Sequence, residues 1–558
     1  MKSCFSSIHS NSWPAIVLMV VVQAQAGMAK EVPPAAPSQP AAQEVSAGDV
    51  AQTISDRRPT IEWRAMHGGT GSEELHSVRQ TDDGGYMLAG WSNSNPDGNR
   101  TAPRTGGPDF WVVRLDSAGG KIWDRAYGPG YLMCIENADD GGFLLAGDSF
   151  SGPGPDKTSP LYGADDAWLV RLDQAGRKLW DVSFGGSDYD FALGLQRTSD
   201  GGFILGAGSA SGVSGNKATP AYGSYDVWLL RLDAGGNKLW EQCYGGTDYD
   251  FLYSIKQTSD GGFVLAGVSR SEPSGTKTSP RRGAMDGWVV RLDPQGQKLW
   301  EQTYGGTNYS GFIDIQELPD YGFIAVGHAD YGVGGTKTSQ GYGSVDVWVV
   351  RLDAAGRALW DRSYGGTDFD AGIRVAPMQD GGFMVAGDSQ SPVSGSRTSP
   401  GSGNDFWLVR LDAAGNQLYD VALDGGGNEV LRDFRRTADG GFLCAGESFP
   451  GAYFMNDYFV VKLSPEPMVW DSDGDGVSDD SDQCPNTEPD SVVDASGCSL
   501  AQLCPPDGPW RNHGDYVGCV RVTLDRFVRE GRLTREQAQR LFLEAVHSTA
   551  GKGRLTAE

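Results

Sequence analysis

Five aspartates near the end of the chain are spaced to bind a metal. Asp471, Asp473, Asp475, Asp479 and Asp482 stand at positions 1, 3, 5, 9 and 12 of DSDGDGVSDDSD, with Gly476 at position 6. Hard oxygen donors at alternate positions, with a glycine that permits a sharp bend, are what Ca²⁺ requires. Val477 falls where a backbone carbonyl coordinates, while Asp482 replaces the longer, bidentate glutamate usual at position 12. Without a cation, so many neighbouring carboxylates repel one another. Calcium is therefore the expected cofactor.

Cysteine is the second residue type with chemistry to offer. Cys134, Cys243 and Cys444 are scattered singly and read as small buried thiols. Cys484, Cys498, Cys504 and Cys519 cluster, and in an exported chain such a cluster implies two disulfides. The simplest pairing is Cys484–Cys498 with Cys504–Cys519, although spacing leaves other pairings open. DxDGDGVxDxxDxCP followed by VVDASGC resembles the thrombospondin type 3 repeat of extracellular proteins. That resemblance implies the five aspartates as calcium ligands and Cys484–Cys498 as a staple. Such repeats usually run in tandem, whereas this chain carries essentially one copy.

Elsewhere the chemistry-bearing residues repeat. Asp83, Asp140, Asp200, Asp260, Asp320, Asp380 and Asp439 each sit in a DGG-like turn, about 60 residues apart. The unit at 250–306 holds four runs with strand character, FLYSIKQT, GFVLAGVS, GWVVRLD and KLWEQTY, parted by SDGG, a long Ser/Gly/Pro/Thr loop and DPQGQ. Each unit is thus a four-stranded antiparallel meander, too small to bury its own faces, and stacking the sheets solves that problem. The last unit stops one strand short after YFVVKLS, and IEWRAMHGGT at 61–70 precedes the first as an orphan fourth strand. The expected fold is all-β: a seven-bladed β-propeller of four-stranded blades, closed by the N-terminal strand. A small calcium loop and a C-terminal helical hairpin complete it. The units also resemble propeller repeats of bacterial surface and quinoprotein families, whose hairpins end in LD..G..LW, and that likeness implies fold alone.

Seven copies of DGG are better explained by a turn that needs positive φ than by seven active sites. Asp109, Asp166, Asp226, Asp286, Asp346, Asp405 and Asp457 precede a third-strand aromatic by two and read as loop-closing acceptors. Arg114, Arg171, Arg231, Arg291, Arg351 and Arg410 recur on that strand and are expected to pair with carboxylates between blades. In a meander the short DGG and LDAAG turns share one face, leaving the GGTDYD loops and long loops on the other. Asp188, Asp190, Asp248, Asp250, Asp368 and Asp370 gather near that rim. They offer a cation or basic-ligand site, though solvated turn aspartates are the simpler reading. No blade shows a unique pair of carboxylates with an acid/base partner, and the six histidines form no metal-spaced cluster. His328 and Tyr331 depart from the pattern of their blade.

The order along the chain is a signal peptide at 1–26, a Pro/Ala-rich linker at 27–56, the propeller at 57–466, the calcium repeat at 467–500 and the helical hairpin at 501–558. In the hairpin, Thr534 and Gln537 form a capping box, and WRNHGDY around His513 reads as a turn. This tail looks like one that follows such calcium repeats in secreted bacterial proteins. With 72 acidic against 46 basic residues and a formal charge of −26, nucleic acid is an unsuitable partner. No later segment approaches the length of a membrane span. The sequence thus points to an exported calcium-binding propeller serving surface binding or adhesion, with an extracellular protein or glycan as ligand. The alternative is a propeller enzyme, a quinoprotein-like oxidoreductase or glycan-active hydrolase, working at the loop-rich mouth.

Overall fold

The computed structural model describes residues 58–449, 456–467, 483–484, 486–487, 491–494, 496–529 and 532–550. The segments expected as signal peptide and linker, and all six positions of the expected calcium loop, Asp471 to Asp482, lie outside them. The chain divides into two compact units, the first ending at Pro465 and the second beginning at Glu466.

The first unit is a ring of seven four-stranded antiparallel sheets. Blade 4 runs Asp250–Gln257, Phe263–Ser269, Asp286–Leu292 and Lys298–Tyr304 in meander order. Its second and third strands are buried along their whole length, while the fourth alternates between buried and exposed positions. The difference follows from position. Inner strands are covered on both faces by neighbouring blades and so carry near-continuous apolar runs; the outer strand meets water. Ile204, Val227 and Leu229 of blade 3, for example, pack against Leu252, Leu265 and Trp288 of blade 4.

Each first turn reverses as its sequence requires. Gly261 has φ 82°, and the Asp260 carboxylate accepts the Gly262 amide at 3.0 Å. Blade 5 has Tyr321 at the equivalent place, at φ 63°. The recurring arginines correct one expectation, because they pair within a blade. Arg291 reaches Asp260 at 2.6 Å, and Arg114 reaches Asp83 at 2.5 Å. In each pair both partners belong to one sheet, where the first turn lies beside the end of the third strand. The aspartates that open third strands do close loops: Asp226 accepts the Tyr222 amide and Asp166 the Tyr162 amide, each at 2.6 Å.

The ring is shut by the N-terminal strand. Ile61–His67 pairs antiparallel with Asp457–Leu463, the last strand of blade 7, so that sheet also has four strands. Of the single cysteines, Cys243 and Cys444 are buried thiols, but Cys134 is only half-buried.

The second unit contains both disulfides, Cys484–Cys498 and Cys504–Cys519. Its helices are α1 (Leu500–Leu503), α2 (His513–Arg529) and α3 (Arg535–His547). Thr534 caps α3 in a capping box with Gln537. His513 does not sit in a turn but begins α2, and its ring nitrogens meet the carbonyls of Ala550 at 2.6 Å and Val546 at 3.0 Å. No described helix is long and apolar enough to cross a membrane.

Candidate functional site in the propeller channel

The seven first strands lie side by side around the centre of the ring. Every one carries a β-bulge at the same place, for instance between Leu75 and Ser77, between Leu252 and Ser254, and between Leu431 and Asp433. A bulge turns its extra residue out of the ladder and re-aims the side chain. Here the seven extra residues are His76, Met133, Leu193, Tyr253, Ile313, Ile373 and Arg432, and all line a central cavity of about 200 Å³. The backbone device repeats, yet the side chains it presents do not.

Towards the short-turn face the channel is filled by charge. Asp433 is fully buried and meets Arg374 at 3.1 Å, Arg435 at 3.2 Å and Arg79 at 3.4 Å. Burial alone would raise its carboxyl, but the three guanidiniums more than offset that and hold it well below the ordinary range. Arg79 also pairs with Glu136 at 2.5 Å, and Asp314 accepts a hydrogen bond from Ser254 at 2.8 Å. Cys134 opens into this layer, which is why it is less buried than the other two thiols. This network of charge narrows the channel at that end.

Towards the loop-rich face the wall has two characters. Blades 3 to 6 contribute an aromatic arc where each blade hands over to the next. Tyr225 bridges to Tyr249 through the backbone, as do Met285 to Tyr309 and Val345 to Phe369. Tyr249 stacks on Phe251 with ring centres 4.3 Å apart, and Tyr225 meets Tyr249 edge-on at 5.7 Å. Blades 6, 7, 1 and 2 instead present ionisable groups. Arg432 pairs with Glu447 at 2.6 Å, and His76 lies 3.6 Å from Glu74. Burial, with Arg432 nearby, pushes His76 down to about 3, and burial pushes His328 down to about 4, so both imidazoles are neutral at pH 7. Burial raises Asp388 to about 8, although it accepts the Leu431 amide at 2.6 Å.

Asp148 and Asp165 are buried in blade 2 with their carboxyls against each other, a contact that Asp457 and Glu73 also make where blades 7 and 1 meet. Burial holds both above the ordinary range, the Asp148 charge raises Asp165 further, and the pair keeps a proton that Asp165 shares with Asp148 through a hydrogen bond.

The rim aspartates separate into two sets, with Asp248 half-buried between them. Asp190, Asp250 and Asp370 are buried turn acceptors, taking the amides of Gly186, Gly246 and Gly366 at 2.7–2.8 Å. Asp188 and Asp368 are exposed. Of the two departures noted in blade 5, His328 lines the channel, while Tyr331 is exposed on a long loop. Sequence reasoning missed Trp91, Asp148, Asp388 and Glu447. They share the register of His328, the residue before the last in the repeated run LAGxS, and the signal was that x varies between Trp, Asp, Gly, Val, His and Glu while its neighbours hold.

No family model matches the chain. An alignment 204 residues long, covering 34% of the chain, is 30% identical to the regulatory protein FlaEY of Caulobacter vibrioides and covers 21% of that protein's length. Among solved structures, the Pan2 WD40 domain of Neurospora crassa overlaps 74% of this chain and 97% of its own, at 11% identity and a TM-score of 0.42. An apocarotenoid oxygenase mutant from Synechocystis overlaps 76% and 98%, at 11% identity and a TM-score of 0.33. Likeness of that degree brings neither activity nor partner to this chain. Its own strand order and channel define a seven-bladed β-propeller with one decorated face.

Proposed function

We propose that the protein is an exported, calcium-binding β-propeller that captures an extracellular glycan or protein at its loop-rich face, as a surface-binding or adhesion module. The observation that carries this reading is the aromatic arc Tyr225, Tyr249, Tyr309 and Phe369 facing an ionisable half-ring across one channel mouth. Phe150, Tyr162, Tyr331 and Tyr342 add exposed rings on loops of the same face, between 39% and 54% accessible. Aromatic rings supply large contact area at low entropic cost, and the phenols and carboxyls supply hydrogen bonds. Two disulfides fit an oxidising compartment. The aspartate spacing at 471–482 supports calcium, at the roughly 0.1–1 mM affinity of extracellular modules.

Glycan and protein arrays, probed with the full chain at two calcium levels, test the reading. Binding that disappears in Tyr249→Ala and Tyr342→Ala supports it; binding indifferent to both removes the mouth from consideration. Calcium titration of the full chain should lose its loop component in Asp473→Ala.

One observation favours an enzyme instead. A carboxyl pair that holds a proton beneath a ligand-sized mouth has the equipment of a general acid. Turnover of an aryl-glycoside panel, abolished by Asp165→Asn, would replace the binding reading with a glycan-active hydrolase.

A further inference from the structure

We propose a second divalent-cation site, suited to Ca²⁺, at the junction of blades 6 and 7, formed by Asp405, Asp424 and Glu429. It is independent of the 471–482 loop and of the function proposed above.

The ordinary junction shows what is unusual here. The aspartate that opens a third strand meets the residue that opens the next blade, as in Asp226 with Asp250 and Asp346 with Asp370. Between them runs the residue that follows the fourth strand, which is Gly245 or Gly365. A Cβ on Gly365 would lie 2.4 Å from Asp346 Oδ1 and 2.6 Å from Asp370 Oδ2. Glycine leaves room for the two carboxylates, and Gly185 and Gly305 hold the same place. At the junction of blades 6 and 7 that place is taken by Asp424, directly after the strand Gln417–Leu423. A third carboxylate is thus added where the repeat makes space for two.

One oxygen from each of Asp405, Asp424 and Glu429 lies within 4.8 Å of the others. Ca²⁺–oxygen distances of about 2.3–2.6 Å place oxygens that share one ion up to about 5 Å apart. Among the described residues no other three His, Cys, Asp or Glu side chains come together in this way. Asp405 and Glu429 are 0% exposed, and Asp405 Oδ1 and Glu429 Oε2 have no hydrogen-bond partner. Their other oxygens are engaged: Asp405 Oδ2 by Arg397 at 2.6 Å, and Glu429 Oε1 by Ser448 at 2.9 Å and the Gly427 amide at 3.0 Å. Asp424 takes the Gly426 amide at 2.6 Å and Ser402 at 3.2 Å.

When all three carboxylates are ionised, the single guanidinium of Arg397 leaves the group two charges negative. Buried carboxylate oxygens without a partner are costly, and a bound dication removes both the charge and the vacancy in hydrogen bonding. The donors are all oxygen, which selects a hard ion. A cage assembled from protein oxygens suits Ca²⁺ better than Mg²⁺, which holds octahedral geometry and its own waters.

The test uses the full chain carrying Asp473→Ala and Asp475→Ala, so that the loop is silent, with calcium alone as the probe. Equilibrium dialysis should find one bound Ca²⁺ in this background. Asp424→Gly, which restores the residue of the other junctions, should weaken it at least tenfold, and Glu429→Gln should do the same. Circular dichroism without calcium checks that both variants fold; should Glu429→Gln fail, Asp424→Gly decides alone. A background protein that binds no calcium, or an Asp424→Gly protein that binds it equally well, overturns the proposal.

Discussion

Lys462 pairs with Glu62 at 3.1 Å and joins the end of the propeller to its beginning. The same ammonium reaches Asp439 at 2.9 Å, within its own blade. In the six earlier blades an arginine at this register pairs with the turn aspartate of its own blade. The lysine therefore marks the blade assembled from both ends of the ring. Glu62 is 40% exposed, so its ion pair contributes under about 1 kcal/mol, and the strand itself matters more.

Deleting residues 58–67 should remove that strand and bare the edge Asp457–Leu463. Unpaired edges template association. The truncated protein is expected to aggregate or melt well below the full chain, as read by size-exclusion chromatography and thermal scanning. Equal melting would count against the closed ring.

Asp420→Ala should cost about 3 kcal/mol, because it strands several buried donors at once. The carboxylate accepts the Ser399 amide at 2.9 Å, the Ser399 hydroxyl at 2.5 Å and Trp407 Nε1 at 2.8 Å. Denaturant unfolding measures the loss, and Asp420→Asn should recover part of it.

From the buried carboxyl groups stability should peak near pH 4, about the value of an unfolded carboxyl, and fall on both sides. Burial opposes ionisation of Asp361 and Asp420, but hydrogen bonds from Ser, Thr and Trp more than offset it and hold both below the ordinary range. Depressed folded-state values mean that their contribution is present above about pH 4 and is lost as pH drops. Burial raises Asp226 to about 6, Asp346 to about 7 and Asp388 to about 8. Those groups keep protons the unfolded chain has released, so stability declines as pH rises through that window. Melting curves in calcium-free buffer check the shape, and Asp388→Asn should flatten the alkaline limb.

Tyr321→Gly should stabilise the protein by about 1 kcal/mol. A non-glycine residue in the left-handed region costs about that much. Tyr321 is 65% exposed, so little packing is lost with its ring. Thermal melting of the variant beside wild type gives the sign, and a lower midpoint would show that the ring makes an unseen contribution.

Replacing Cys504 and Cys519 by serine should destabilise the helical unit by about 3 kcal/mol, the loop entropy of a 15-residue closure. The propeller, whose thiols are unpaired, should melt as before.

Much of the fold was legible because one solution is written seven times. The Gly261 turn, the four strands of blade 4 and the displaced strand with Trp63 could each be read from local pattern, since turn geometry and alternation act over a few residues. The direction of the Arg291 pair could not, because the choice between Asp260 in its own sheet and a carboxylate next door depends on sheet stacking. Nor could the channel. His76, Arg432 and Asp388 are far apart in sequence and ordinary in isolation, and the repeats draw attention away from them.

By itself the sequence determined the sheets, their number and how the ring closes, because periodicity and the missing strand are properties of the chain. Only the tertiary structure decided which residues face one another. Closing seven sheets into a ring aims seven unlike bulge residues at one axis, and sets Asp405 beside Asp424 and Glu429. Repeated positions are spent on the scaffold, so whatever distinguishes this propeller lies where the repeat breaks, and the physical meaning of a break depends on what lies across the ring or the junction.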